Sequence, residues 1–191
     1  MATPPQLTKL KTSNLRPVPV EDEYTEFVWI GPERSPHAQV FVRVEVLQEL
    51  IQASLGAPRS TRTALLLGRV GVDVGQCFIE ILGYTDLDTH ESLREFCRAT
   101  TDYWPMMMSR LERRDDRLLL MGWACMEAGD KGVLTRVHQV THRTFFNFPH
   151  QVFLLLDPES QHVALYGFDE SNRLVHIGYN LVRPRQATSS T

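Results

Sequence analysis

Basic residues are not in excess in this chain of 191 residues. Its 20 Lys and Arg stand against 23 Asp and Glu, a formal net charge of -3. A broad nucleic-acid footprint needs a basic surplus, so the balance argues against nucleic acid as a partner. Cysteine is scarce. The three present, Cys77, Cys97 and Cys125, are widely spaced with no CxxC, which excludes a disulfide framework and a zinc ribbon. Reduced thiols in a cytoplasmic protein are the expectation. No run approaches the roughly 18 apolar residues of a membrane span, and the N-terminal stretch has no apolar core of a secretion signal. The glycines of "GRVGVDVGQ" form neither a GxGxxG nor a GxxxxGK[ST] pattern, which removes nucleotide binding by those loops.

What is present is an ordinary globular composition, 42% hydrophobic and 23% charged, long enough for one domain with a sizeable core. Residues 1–23 are rich in Pro, Lys and Thr without a hydrophobic period and read as a flexible arm. Residues 184–191 read as a disordered tail, which leaves 24–183 as the domain. Within it "EFVWIG" and "AQVFVRV" read as strands. Val44, Leu47, Leu50, Ile51 and Leu55 fall at helical spacing, closed by Gly56 and Pro58. "TALLLGRV" and "CFIEILGYTDL" read as a hairpin. "THESLREFCRATTDYWPMMMSRLERR" reads as a long helix capped by Asp88 or Thr89 and kinked or split by Pro105. "DRLLLMGW" reads as a buried strand, "VLTRVHQVTHRTFFN" as the start of a helix, and "HQVFLLLDP" as a central strand. "HVALYGFDE" and "LVHIGYNLV" complete the order as a pair joined by "DESNR". Strands interleaved with helices predict an α/β fold, a curved mixed sheet flanked by helices.

The segment "MGWACMEAGDKGVLTRVH", Met121 to His138, has the layout of a site. An apolar run reaches a Gly-Trp turn, and a Gly-rich link leads into a helix. Cys125, Glu127 and His138 are all residue types that ligate metal.

This layout resembles the JAB1/MPN/Mov34 family, whose fold is similar to that of cytidine deaminases. In that family the strand ends in Gly-Trp-Tyr followed by His-Ser/Thr-His-Pro. A Ser follows after seven residues, and an Asp three positions beyond it. The two His and the Asp hold zinc, the Ser holds the reacting oxygen, and an upstream Glu activates the zinc-bound water. Here Gly122 and Trp123 match the Gly-Trp, Cys125 and Glu127 stand in the two His positions, and Ala128 replaces the Pro. Thr135 takes the Ser position, His138 the Asp position, and Thr61, three residues before Ala64, the position of the catalytic Glu. "THRTFFNFPHQVFLLLDP" is similar to the corresponding helix and strand of bacterial members.

Every catalytic position is thus substituted. A zinc hydrolase needs three protein ligands, an open position for water and a base within reach. A threonine hydroxyl is no base at neutral pH. The resemblance therefore implies a pseudoenzyme, an MPN-type domain without catalytic residues, cofactor or resident metal. Such members act as protein-interaction scaffolds and pair with themselves or an active MPN partner, as in the proteasome lid, the COP9 signalosome and translation initiation factor three. The alternative is a divergent metal-dependent isopeptidase or peptidase with zinc on Cys125, Glu127 and His138. A Cys125 nucleophile with His138 lacks an evident third member. A small-ligand sensor built on the degenerate cleft would need a well-formed pocket near Trp123.

The stripe Tyr103, Trp104, Met106, Met107 and Met108 is the candidate dimer or partner interface, with core packing as the plainer reading. His142 and His150 read as helix-end or strand-edge residues, and His162 and His176 as surface or edge residues. "RLERRDDR" reads as a solvated helix end with local ion pairs.

Overall fold

The computed structural model describes residues 17–55, 61–73, 76–85, 88–90, 93–112, 118–127 and 133–185, without the side chains of 88–90, 103, 106–108 and 110–112. It is an α/β structure. Strands β1 (Tyr24–Ile30) and β2 (Gln39–Arg43) lead into α1 (Val44–Leu55). The hairpin β3 (Thr61–Asp73) and β4 (Gln76–Tyr84) follows, then β5 (Asp88–His90) and α2 (Leu93–Glu112). Next come β6 (Leu119–Met126), α3 (Arg136–Phe145), β7 (Val152–Asp157), β8 (His162–Phe168), β9 (Leu174–Ile177) and β10 (Tyr179–Pro184).

All ten strands form one mixed sheet in the order β1-β10-β2-β4-β3-β6-β7-β8-β9, with β5 paired to β3 outside that path. The pairs β10–β2, β2–β4 and β6–β7 are parallel. β9 closes one end of the order and β10 lies beside the other, yet only Gly178 separates them along the chain. The sheet must therefore curl until its two ends approach each other. Gly178 permits this, because a Cβ there would run into the Trp29 ring, and its amide donates to the Glu33 carbonyl at 2.6 Å. The last apolar segment, expected as one strand, is for this reason two.

The apolar runs are continuous rather than alternating because the sheet is buried on both sides. On one face Val40, Val42, Ala64, Leu66, Ile79, Ile81, Leu154 and Leu156 pack with Val46, Leu47 and Leu50 of α1. On the other, Leu65, Trp123, Cys125, Phe153 and Leu155 pack with Leu93 and Phe96 of α2 and Phe146 beyond α3. Odd and even residues of one strand thus serve two cores.

Four further sequence expectations change. Gly122 and Trp123 are not a turn: β6 runs straight through them to Met126, with Gly122 level with Val152 of β7. Asp88 and Thr89 do not cap α2. They belong to β5, paired with Thr63 and Arg62. Of the kink or split expected at Pro105, the split does not occur: α2 runs unbroken from Leu93 to Glu112, with Pro105 on its exposed side. A proline removes one helix hydrogen bond, and twenty residues of packed helix tolerate that loss. Finally, residues 17–23 belong to the fold rather than to an arm. The Val18 amide donates to Asp73 Oδ2 at 3.0 Å, Val18 packs on the Tyr24–Phe41–Phe78 cluster, and Glu21–Glu23 form a 3-10 turn. Residues 1–16 and 186–191, the remainder of the expected arm and most of the tail, lie outside the described residues, as do Gly56 and Pro58. No helix among the described residues is long and apolar enough to cross a membrane.

Candidate functional site

Three elements converge on the loop singled out in the sequence. β6 delivers Cys125 and, one step past its end, Glu127. Residues two apart on a strand share a face, here the face covered by α2 and α3. The Glu127 amide donates to the Leu156 carbonyl at 3.0 Å, which holds the chain extended beyond the strand. β3 delivers Thr61: the antiparallel register pairs Thr63 with Cys125 and Arg62 with Met126, so one further step sets Thr61 across from Glu127. The Thr61 hydroxyl donates to Glu127 Oε1 at 3.2 Å.

α3 delivers the rest. Thr135 is its N-cap, and its hydroxyl accepts from the His138 amide. His138 returns the bond: its Nδ1 accepts from the Thr135 amide at 3.1 Å, with the Thr135 hydroxyl 3.0 Å away. This is a reciprocal capping box in which an imidazole replaces the usual Glu or Gln. The His138 ring is fully buried, tilted against Phe153 at 5.1 Å. The five positions Thr61, Cys125, Glu127, Thr135 and His138 are thus brought together. Ala128 lies outside the described residues.

The capping box fixes the ring's chemistry. A backbone amide can only donate, so Nδ1 must present its lone pair and the ring proton sits on Nε2. Nε2 lies 3.4 Å from Glu127 Oε2. The approach misses hydrogen-bond alignment, so Nε2 is a buried donor facing a carboxylate without a well-directed bond to it.

Cys125, Glu127 and His138 place one ligand atom each within 4.8 Å of the others, the group of this kind found among the described residues. In kind, these donors suit zinc, which takes thiolate, imidazole and carboxylate. In protonation they do not. Nε2 is the nitrogen that faces the Glu127 carboxylate, and it carries the proton. To free it for a metal, the ring would have to move that proton to Nδ1, where it would collide with the Thr135 N–H. The arrangement as it stands therefore misfits zinc.

Behind this cluster, Trp123 is fully buried, with Phe153, Phe96 and Phe146 stacked around it at 4.3, 5.3 and 5.8 Å. Its indole N–H donates to His142 Nδ1 at 3.2 Å. His142 is fully buried, and desolvation pushes its pKa from 6.5 down to about 3, opposed by a hydrogen bond to the Gln151 backbone. His142 is thus a neutral core residue in the last turn of α3, a helix-end position as expected but a buried one. Burial lowers the pKa of His150 in the same direction.

Of the candidate interface, Trp104 is half-buried against Phe145 and Phe146, at 5.4 and 5.6 Å. It therefore serves the contact between α2 and the end of α3. The side chains of Tyr103, Met106, Met107 and Met108 lie outside the described residues. The imidazole capping box is the feature that sequence reasoning missed. Its signal was the Thr-x-x-His spacing of Thr135 and His138, obscured because a capping box is sought as Ser/Thr-x-x-Glu/Gln.

Comparison of the chain with family models and with curated proteins found no match.

Proposed function

We propose that this chain is a non-catalytic interaction module, an MPN-type domain whose former hydrolase site has become a hydrogen-bonded clasp. The observation that carries this reading is the convergence of Thr61, Cys125, Glu127, Thr135 and His138 on one point. Bonds among them include Thr61 to Glu127, and Thr135 to His138 in both directions. Thr61 supplies a hydroxyl donor where hydrolysis would need a general base. The partner under this reading is a second copy or another MPN-type protein in a cytoplasmic complex of bacterial type.

The second reading is a metal-dependent peptidase or isopeptidase, and the observation in its favour is the clustering of the Cys125, Glu127 and His138 donors. One pair of measurements separates the two. Metal analysis of protein purified without chelator should give far less than one zinc per chain, and light scattering at micromolar concentration should give a dimer or a stable complex with a co-purified MPN-type partner. Roughly one zinc per chain, lost in a Cys125→Ala, Glu127→Ala variant, would establish the metal reading. A strictly monomeric, partnerless protein would count against the interaction module.

A further inference from the structure

β10, β2 and β4 are neighbours and run parallel, so their carboxyl ends share one edge of the sheet. At that edge lies a cavity of about 890 Å³. Arg43 reaches it from the end of β2, Tyr84 from the end of β4, Arg183 and Arg185 from the end of β10, and Glu45 and Glu49 from the first turns of α1. Crevices beyond the carboxyl ends of parallel strands are where α/β sheets take ligands, and small-molecule pockets span roughly 300–1,000 Å³. None of Thr61, Cys125, Glu127, Thr135 or His138 lines this cavity, so the inference is independent of the function proposed above.

The three guanidinium groups differ in what already occupies them. Arg183 is ion-paired, its Nε lying 3.4 Å from Glu26 Oε1 and 3.5 Å from Glu45 Oε1 without an aligned hydrogen bond to either. Arg185 donates from Nε to the Tyr24 carbonyl at 3.2 Å and meets no carboxylate among the described residues. Arg43 is half-buried, and its guanidinium forms no hydrogen bond or ion pair with the described residues. It also lines a second cavity of about 280 Å³, so its side chain stands in the wall between the two. A partly desolvated guanidinium outside any ion pair is costly, and its planar donors match an oxyanion in bidentate fashion. Thr85, on the same wall, accepts the Leu65 amide at 3.0 Å, which leaves its own proton to donate. Glu45 is taken up by Arg183, whereas Glu49 is exposed and forms no bond with the described residues. Glu49 disfavours a polyanion and favours a ligand with a donor at its far end.

We propose that this cavity is a small-molecule site in which Arg43 and Arg185 hold a phosphate or carboxylate group while Glu49 faces an amine or hydroxyl end of the same ligand. The test is titration of the full-length protein, by calorimetry and thermal shift at constant ionic strength, with two probes. Phosphoethanolamine and 4-aminobutyrate each carry one oxyanion and one ammonium group. At least one should bind saturably. A response to the first alone assigns a phosphoester ligand, and a response to the second alone an amino-acid-like carboxylate. Arg43→Ala and Arg185→Gln should each weaken binding about tenfold, the effect of losing one charge-assisted hydrogen bond. Arg34→Ala, which removes a guanidinium stacked 5.5 Å over Trp29 away from the cavity, should leave binding unchanged. If Arg43→Ala unfolds the protein, Arg43→Lys keeps the charge without the planar fork and should still show weaker binding. Failure of both probes to saturate at tens of millimolar would overturn the proposal, as would binding that survives both arginine substitutions.

Discussion

Lowering the pH from 7 to 5 probes the aromatic cluster beneath the candidate site through one side chain, His142. The ring is fully buried, with Phe168 and Phe146 against it at 5.1 and 5.8 Å, and Nδ1 accepts the Trp123 indole N–H at 3.2 Å. A second ring proton would have to land on Nδ1 and displace that bond inside an apolar cluster. Burial accordingly holds the pKa at about 3 in the folded protein, against 6.5 for an exposed histidine. Between these values the unfolded chain binds a proton that the folded chain refuses. The contribution to stability is therefore complete above pH 6.5 and is lost as the pH falls toward 3. At pH 5 the unfolded side chain is almost wholly protonated and the folded one is not, which costs about 2 kcal/mol relative to pH 7. That figure needs only a folded pKa well below 5. His150 and His176 are shifted the same way by burial, so a variant must isolate His142. His142→Gln keeps an acceptor for the indole N–H and does not titrate. Urea unfolding at pH 7 and pH 5 should show the wild-type protein losing about 2 kcal/mol more than the variant between the two conditions. Equal losses would refute the assignment of a buried, neutral His142.

Substitutions at two further positions test β6 and the cap of α3. Gly122 sits at φ 144°, and a Cβ there would enter the Val152 carbonyl of β7, so Gly122→Ala should destabilise by roughly 3–5 kcal/mol from backbone strain and overpacking. A variant within about 1 kcal/mol of wild type by denaturant midpoint would contradict that geometry. Thr135→Ala removes the α3 cap and should cost about 1 kcal/mol, while Thr135→Ser should be nearly silent. In both, nitrogen-15 spectra should show the His138 proton on Nε2, because the donor that fixes it is the backbone amide. A proton on Nδ1 would remove the argument against metal binding.

Much of the architecture can be read from the chain because it follows from local rules. Runs such as "TALLLG" and "VFLLL" have no polar alternation, and only a strand buried on both faces can accommodate them. α1 announces itself by its spacing of Val44, Leu47, Leu50 and Ile51. Cys125 and Glu127, two apart on an extended chain, necessarily share a face. The meeting of Thr61 with Glu127 was suggested by a family pattern, and the antiparallel register of β3 on β6 provides it.

Other features depend on contacts between residues remote in sequence. Nothing local in "LVHIGYNLV" says that the chain must break at Gly178. The break exists because Trp29, some 150 residues earlier, lies over that glycine where the curled sheet brings its ends together. Gly122 reads locally as a turn and is instead the place where β6 presses against the β7 backbone. His142 reads as a helix-end histidine and is neutral because Trp123 and three phenylalanines surround it. His138 reads as a residue type that ligates metal, and only the packed structure shows that the cap of α3 engages its Nδ1. Composition and periodicity decide which residues are buried and in what element. Which proton an imidazole carries, and which strand ends share a cavity, are decided only when distant segments are packed, because those properties belong to the neighbours and not to the residue itself.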